Sequence, residues 1–278
     1  MIFYINGKFL DEEEAKISVY DLGFLRGYAV FDFLRTYNQK PFYLDDHLKR
    51  FLNSAKLINL KHNYNLNFLR KIILQTLSKN IQKKSLSEYN IRIILTGGNS
   101  KDFITPSKPN LIVMMAPLKK LDEKLYQKGG KLITKISERI LPQAKTIVYT
   151  EAVKFRQEIN NKGIVEVLLL DKNKKILECT TSNFFAVIDG KIITPSTEKI
   201  LPGITRKIVI NLAKKLKIPV IERDIRFDEI KKFDEAFITA TTKEILPIIQ
   251  IDNFRISNQP GLITKTLMDK FKNLTKNY

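Results

Sequence analysis

The chain has 278 residues, of which 44% are hydrophobic, with a formal net charge of +19 and a single cysteine, Cys179. The length suits two sub-domains or one large α+β unit. One cysteine excludes an intramolecular disulfide framework and fits a reducing cytoplasm, and no apolar run approaches the ~20 residues that span a bilayer. The charge selects no partner class. The lysines are spread along the whole length, without the one-face clustering and interleaved aromatics that nucleic-acid binding needs, so neither a nucleic-acid nor a membrane partner is expected.

The opening MIFYINGKFL has no basic region, long apolar core or small-residue cleavage site, and reads as a chain without a signal peptide. FYINGKFL predicts a strand–turn–strand with Asn6-Gly7 at the tip. VFDFLRTYNQKPFYL predicts a second hairpin, turning around residues 38–40. Leu44, Leu48, Phe51, Ala55 and Ile58 recur at helical spacing, with Asp45 or Asp46 in the first turn, and residues 65–81 read as another helix. IRIILT and LIVMMA read as strands at residues 91–96 and 111–116.

The texture then changes. PLKKLDEKLYQKGG is polar, charged and closed by two glycines, and a boundary is placed there: residues 1–117, a linker at 118–130, and residues 131–278. Beyond it, strands are expected at 131–136, 163–170, 183–187, 191–194, 220–222, 235–238 and 247–251. Helices are expected at 150–161, 204–217 and 261–273. Without a regular βαβ alternation the fold class is α+β.

Four stretches carry candidate chemistry. In ECTTSNFFAV, Glu178 stands at the mouth of an apolar run, where a carboxylate is costly unless paired. In ILPGITR, a Pro202-Gly203 turn opens onto a helix striped with Ile204, Ile208, Leu212 and Leu216, with Thr205 in its first turn. Free N–H groups at such a helix start suit a phosphate, although an ordinary turn into an amphipathic helix has the same pattern. TATTKE, which includes Thr241, offers hydroxyls to an anion or is a polar loop. In HLKRF, His47 and Arg50 are helix neighbours; Arg50 suits a phosphate or a pair with Asp46.

In this order, Glu178 with Asn183-Phe184-Phe185, then ITP, then LPGITR, the sequence resembles the class IV aminotransferases. These are pyridoxal-phosphate enzymes of fold type IV. They include branched-chain aminotransferases, D-amino-acid aminotransferases and aminodeoxychorismate lyase. The resemblance runs from DLGFLRGYAVFDFLRTY to TATTKEILPI. It implies a smaller N-terminal α/β domain on the substrate side and a larger C-terminal pseudo-barrel domain that binds the cofactor, in a cytoplasmic homodimer with a shared active site. No metal is implied.

The resemblance also assigns residues. Glu178 matches the glutamate that keeps the pyridine nitrogen protonated, which strengthens electron withdrawal from the substrate Cα. Lys145, in LPQAKTIVYTEAVKF, matches the catalytic lysine that carries the cofactor and shuttles the proton, with Lys154 its nearest competitor. Tyr149 matches the tyrosine on the cofactor's phenolic oxygen. Arg50, the N–H groups of Ile204 and Thr205, and Thr241 match the phosphate site, and Leu201 the residue that packs on the ring.

For the substrate, Arg26 in FLRGYAVFD and Arg92 in IRIILTGG look like the carboxylate-binding arginines of a variant group of D-amino-acid aminotransferases, Arg26 in its own or the neighbouring subunit. The expected reaction is ping-pong amino transfer from a D-amino acid to 2-oxoglutarate. Branched-chain L-amino-acid transfer, suggested by the apolar Phe31 and Phe33, and aminodeoxychorismate lyase chemistry are the alternatives. Cys-Thr-Thr-Ser after Glu178 departs from the glycine-alanine-rich stretch of branched-chain enzymes, and Cys179 is read as a packing residue.

Overall fold

The computed structural model describes residues 1–81, 87–159 and 163–278. The fold is α+β, and the chain falls into two compact units. The first comprises Met1–Lys119, Ala144–Tyr149 and Tyr278; the second comprises Lys120–Gln143 and Thr150–Asn277.

In the first unit the chain order is β1 (Ile2–Ile5), β2 (Lys8–Asp11), α1 (Leu22–Arg26), β3 (Ala29–Tyr37), β4 (Lys40–Pro41), α2 (Leu44–Leu57), α3 (Leu66–Asn80), β5 (Tyr89–Thr96) and β6 (Leu111–Pro117). The Asn-Gly signal makes the first hairpin, with φ of 48° at Asn6 and 98° at Gly7 and Ile5 paired with Lys8. The second hairpin forms too, but its return strand is only two residues long and ends on Pro41, which has no N–H to continue the ladder. The strands make one antiparallel sheet in the order β2-β1-β6-β5-β3-β4.

One face of that sheet carries the helices. Val30 and Leu34 from β3, Ile91, Ile93 and Leu95 from β5, and Val113 from β6 pack with Leu48 and Phe51 of α2 and Leu69 and Ile73 of α3. Each such side chain contributes roughly 1.5–3 kcal/mol by leaving water. Alternation sends Phe31, Phe33 and Arg92 to the opposite face, with Phe33 directly across from Arg92. The short helix α1 has no periodic sequence signal. It exists because the Asp21 carboxylate accepts from Gly23 N–H at 2.7 Å at its start and Gly27 takes φ 66° at its end.

The segment Ala144–Tyr149 lies beyond the sequence boundary yet belongs to the first unit. Phe31 N–H donates to Lys145 O at 2.9 Å, Ile147 N–H to Ala29 O at 3.2 Å, and Val30 forms an antiparallel bridge with Thr146. Lys145 N–H donates to Ser54 Oγ of α2 at 3.0 Å. These long-range pairings recruit six residues that no local pattern marks.

The second unit continues with α4 (Glu123–Lys128), β7 (Gly130–Ile136), α5 (Thr150–Glu158), β8 (Ile164–Leu170), β9 (Lys175–Cys179), β10 (Asn183–Ile188), β11 (Lys191–Thr194), α6 (Ile204–Lys215), β12 (Val220–Glu222), β13 (Ile225–Arg226), β14 (Glu235–Ala240), β15 (Glu244–Ile251), β16 (Phe254–Arg255) and α7 (Leu262–Lys276). Its sheet runs β12-β11-β10-β14-β15-β7-β8-β9-β13, with β16 on β15. Most of the 118–130 stretch is ordered into this unit. Asp122 caps α4 by accepting from Lys124 N–H at 2.9 Å, and Leu125 and Tyr126 pack on the core. The helix expected over 150–161 spans Thr150–Glu158; Asn160 and Asn161 lie outside the described residues. Strand β9, which carries Glu178, was not expected. The lysine-rich DKNKK run before it hides the strand, and a turn with Lys174 at φ 59° returns the chain onto β8.

Candidate active site

In the first unit, Phe31 is a platform. Lys145 Nζ lies 4.6 Å from its ring centroid, the Tyr149 ring 5.6 Å away edge-on, and the Arg92 guanidinium 5.2 Å away. Arg92 also lies 5.5 Å over Phe33. Three of the expected site residues therefore meet around one buried aromatic side chain. Arg26 is exposed and Nε donates to Phe103 O at 3.0 Å. Its neighbour Gly27 faces the lysine segment: a Cβ there would stand 3.2 Å from Val148.

Behind β3 sits an ionic group that the sequence did not foretell. Asp32, at 0% exposure, accepts from Arg50 Nε at 2.9 Å and from a second Arg50 nitrogen at 2.8 Å. His47 Nδ1 lies 2.6 Å from the same carboxylate. Burial pushes the Asp32 carboxyl upward, but Arg50 and His47 outweigh it and hold the acid well below its ordinary range. His47 is driven the other way, toward neutrality, by burial and by the Arg50 and Lys145 charges, against the pull of Asp32. The short contact then reads as neutral Nδ1–H donating to a carboxylate. Arg50 is tied to the lysine segment as well: Ser54 Oγ donates to Arg50 O at 2.9 Å and accepts from Lys145 N–H. Asp32 was findable in principle, since an acid inside VFDFL must pair, but its partners could not be read from spacing.

In the second unit, Glu178 is 4% exposed at the end of β9. Its Oε2 accepts from Asn183 Nδ2 at 3.1 Å and from Leu201 N–H at 3.2 Å. Arg139 Nε is 3.6 Å from Oε1, and Arg139 also donates to Thr180 O at 3.1 Å. Asn183 donates in addition to Leu201 O at 2.9 Å, so one amide joins the glutamate to the LPGITR turn. Helix α6 starts directly after that turn, with Ile204 and Thr205 buried, Gly203 at its N-cap and no side-chain cap. Thr241 lies in the β14–β15 turn, half-buried.

That turn is held by a second group absent from the sequence reading. Lys243 Nζ donates to Glu166 Oε1 at 2.8 Å and lies 2.9 Å from Thr181 Oγ1. Glu166 also accepts from Thr180 Oγ1 at 3.0 Å, from Thr181 N–H at 3.1 Å and from the Thr181 hydroxyl. Burial raises the Glu166 carboxyl and Lys243 with Thr181 lower it further, leaving it an anion. The loop after Glu178 and the turn of Thr241 are thus pinned to one carboxylate. Cys179 is fully buried and burial pushes its thiol far up, which makes it a packing residue rather than a nucleophile.

The donor set fits pyridoxal phosphate. A buried carboxylate with its outer atoms fixed can face a protonated ring nitrogen. The start of α6 leaves its first N–H groups without a side-chain cap, as a phosphate requires. Gly203 keeps that approach tight, because a Cβ there would stand 1.9 Å from Asn183 Oδ1. Within the first unit, Lys145 carries a primary amine beside the Phe31 ring and Arg50 is a cation held by Asp32. Among the described residues no helix is long and apolar enough to cross a membrane, and no cluster of His, Cys, Asp and Glu could hold a metal.

Comparison with known proteins agrees with this chemistry. The family profile described as "Amino-transferase class IV" matches residues 29–251. A relative from Methanocaldococcus jannaschii named "Putative branched-chain-amino-acid aminotransferase" is 36% identical, over 99% of this chain and 96% of its own length. A D-alanine aminotransferase of Staphylococcus epidermidis is 30% identical, over 97% of this chain and 96% of its own. The crystal structure of the T.th. branched-chain amino acid aminotransferase with pyridoxamine 5'-phosphate superposes with a TM-score of 0.90 at 27% identity, covering 99% of this chain and 94% of that one. This chain belongs to the class IV aminotransferases, enzymes that work with pyridoxal phosphate.

Proposed function

We propose that the chain transfers the amino group of an aliphatic amino acid, a branched-chain L-amino acid first, to a 2-oxo acid such as 2-oxoglutarate. The observation that carries this is the Phe31 platform, where Lys145, Tyr149 and Arg92 surround one apolar ring. Arg92 beside the Phe31 and Phe33 rings offers a cation to a substrate carboxylate and apolar surface to a side chain that prefers to leave water. The branched-chain relatives support this donor.

A second reading is transfer from D-alanine. It is favoured by Arg92 on that platform and by Arg26, whose turn abuts Val148 of the lysine segment, a placement from which Arg26 would take a substrate carboxylate in its own subunit or the neighbouring one.

When bound, the cofactor supplies the electron sink that makes the substrate Cα acidic. The protein's residues do the rest. Lys145 holds the cofactor through its amine and then moves the proton between Cα and the cofactor's reactive carbon. Tyr149 donates to the phenolic oxygen. Glu178 keeps the ring nitrogen protonated, with Asn183 and Leu201 N–H fixing its orientation and Leu201 packing on the ring. Arg50, the N–H groups of Ile204 and Thr205, and Thr241 hold the phosphate. The exposed Val19, Phe24 and Ile104, with Tyr20 stacked on Phe103, support a homodimer, and the lone buried Cys179 accords with a cytoplasmic setting.

The test adds L-leucine or D-alanine separately to the purified loaded enzyme without acceptor. The amino acid that is a donor converts the visible absorption to that of the amine form and releases its 2-oxo acid. Conversion by L-leucine supports the first reading and by D-alanine the second. Conversion by acidic or basic amino acids alone would sink both.

A further inference from the structure

Thr239 lies near the end of β14 at 1% exposure, and its Oγ1 has no hydrogen-bond partner among the described residues. Native folds rarely leave a hydroxyl in that condition, because the desolvated group costs stability until something pairs with it. Its orientation follows from the register. Thr239 is the cross-strand partner of Asn183, so the two side chains leave the sheet on the same face. Asn183 points at the turn that opens α6: it donates to Leu201 O, and Gly203 closes on its Oδ1. Helix α6 packs against β14. The unpartnered hydroxyl and the uncapped N-terminus of α6 therefore share one corner of the second unit.

We propose that Thr239 Oγ1 is a further hydrogen-bond donor to the phosphate of pyridoxal phosphate, beside the N–H groups of Ile204 and Thr205. This rests on reading the start of α6 as the phosphate end of the cofactor site. The hydroxyl is left unpaired in the protein so that the anion can pair with it, and a protein carboxylate or carbonyl at that point would compete with the phosphate.

Thr239→Val tests this because valine keeps the shape and removes only the hydroxyl. The cofactor-free variant should melt at the wild-type temperature or above it, since an unpaired buried group has been deleted. Its affinity for pyridoxal phosphate should fall about tenfold to a hundredfold, as expected for losing one hydrogen bond to a charged group. Affinity for pyridoxal, which lacks the phosphate, should not change, and Thr239→Ser should restore tight binding. Five outcomes overturn the proposal. A less stable cofactor-free Thr239→Val with unchanged pyridoxal-phosphate affinity makes the hydroxyl structural. Equal losses for pyridoxal phosphate and pyridoxal place it away from the phosphate. Failure of Thr239→Ser to recover binding removes the hydroxyl as the cause. A wild-type protein that binds both compounds equally removes the phosphate reading of α6, and the proposal with it; a preference for pyridoxal phosphate over pyridoxal that is undiminished in Thr239→Val removes the proposal alone.

Discussion

Asp32→Asn isolates the ionic group behind β3. The substitution keeps the size and shape of the side chain and removes one negative charge at a position with 0% exposure. It removes the negative charge that the Arg50 guanidinium, 8% exposed, faces, and replaces one of the two carboxylate oxygens that accept from Arg50 at 2.9 and 2.8 Å with an NH2 group that cannot accept. Removing one partner of a buried pair costs about 3–5 kcal/mol. A unit charge pair ~4 Å apart at an effective dielectric of ~20 gives ~4 kcal/mol, the same size. That is a large share of the ~5–15 kcal/mol by which a domain is stable. Urea unfolding of the cofactor-free protein near neutral pH, followed by circular dichroism, should show a lower midpoint with an unchanged slope. The triple variant Asp32→Leu, His47→Leu and Arg50→Met should recover most of the loss, because apolar residues of similar volume then replace the whole buried group at little cost. A single variant within ~1 kcal/mol of wild type, or a triple variant as unstable as the single, would refute the reasoning.

Two further outcomes follow from the same structure. His47 and His62 both have pKa values held below the ordinary 6.5, chiefly by burial, so each takes up a proton less readily in the fold than when unfolded. Stability is then full above ~6.5 and falls as pH drops below it, by at most about 1.4 kcal/mol per pH unit from buried His47 and by less from the partly exposed His62, which solvent screens. Replacing both histidines with glutamine should flatten this limb between about pH 6.5 and 5 in urea titrations, and an unchanged slope would rule the histidines out. Gly203→Ala would set a Cβ 1.9 Å from Asn183 Oδ1, an atom that cannot retreat because its amide bridges Glu178 and Leu201. The overpacking should cost about 1–3 kcal/mol and weaken pyridoxal-phosphate binding together, measured by thermal melting and cofactor titration; a wild-type melting temperature would contradict it.

Much of the fold was legible because its signals are local. Asn6-Gly7 specified a hairpin through backbone φ alone, and the stripes of α2, α3 and α6 appeared at the expected period. The elements that escaped were those held by long-range contact. Strand β9 lies behind a charged run that reads as a loop, and α4 sits in a stretch whose polarity suggested a linker. The α1 turn depends on the Asp21 carboxylate and Gly27 rather than on any apolar pattern.

The same division holds for the chemistry. Glu178 with Asn183-Phe184-Phe185, then ITP, then LPGITR, made the sequence resemble the class IV aminotransferases, the family whose profile matches residues 29–251, and it was that resemblance which singled out Lys145 and Tyr149. Which groups orient them was decided only in three dimensions. Asn183 and Leu201 fix Glu178, Asp32 and His47 fix Arg50, Lys243 with Glu166 fixes the turn of Thr241, and β3 captures the strand-like segment of Lys145. Each of these pairs charges or amides across strands, helices and turns distant in sequence or between loops. A buried polar group announces in the sequence that it must be paired, but the identity of its partner is set by which surfaces the packing of the core brings into reach.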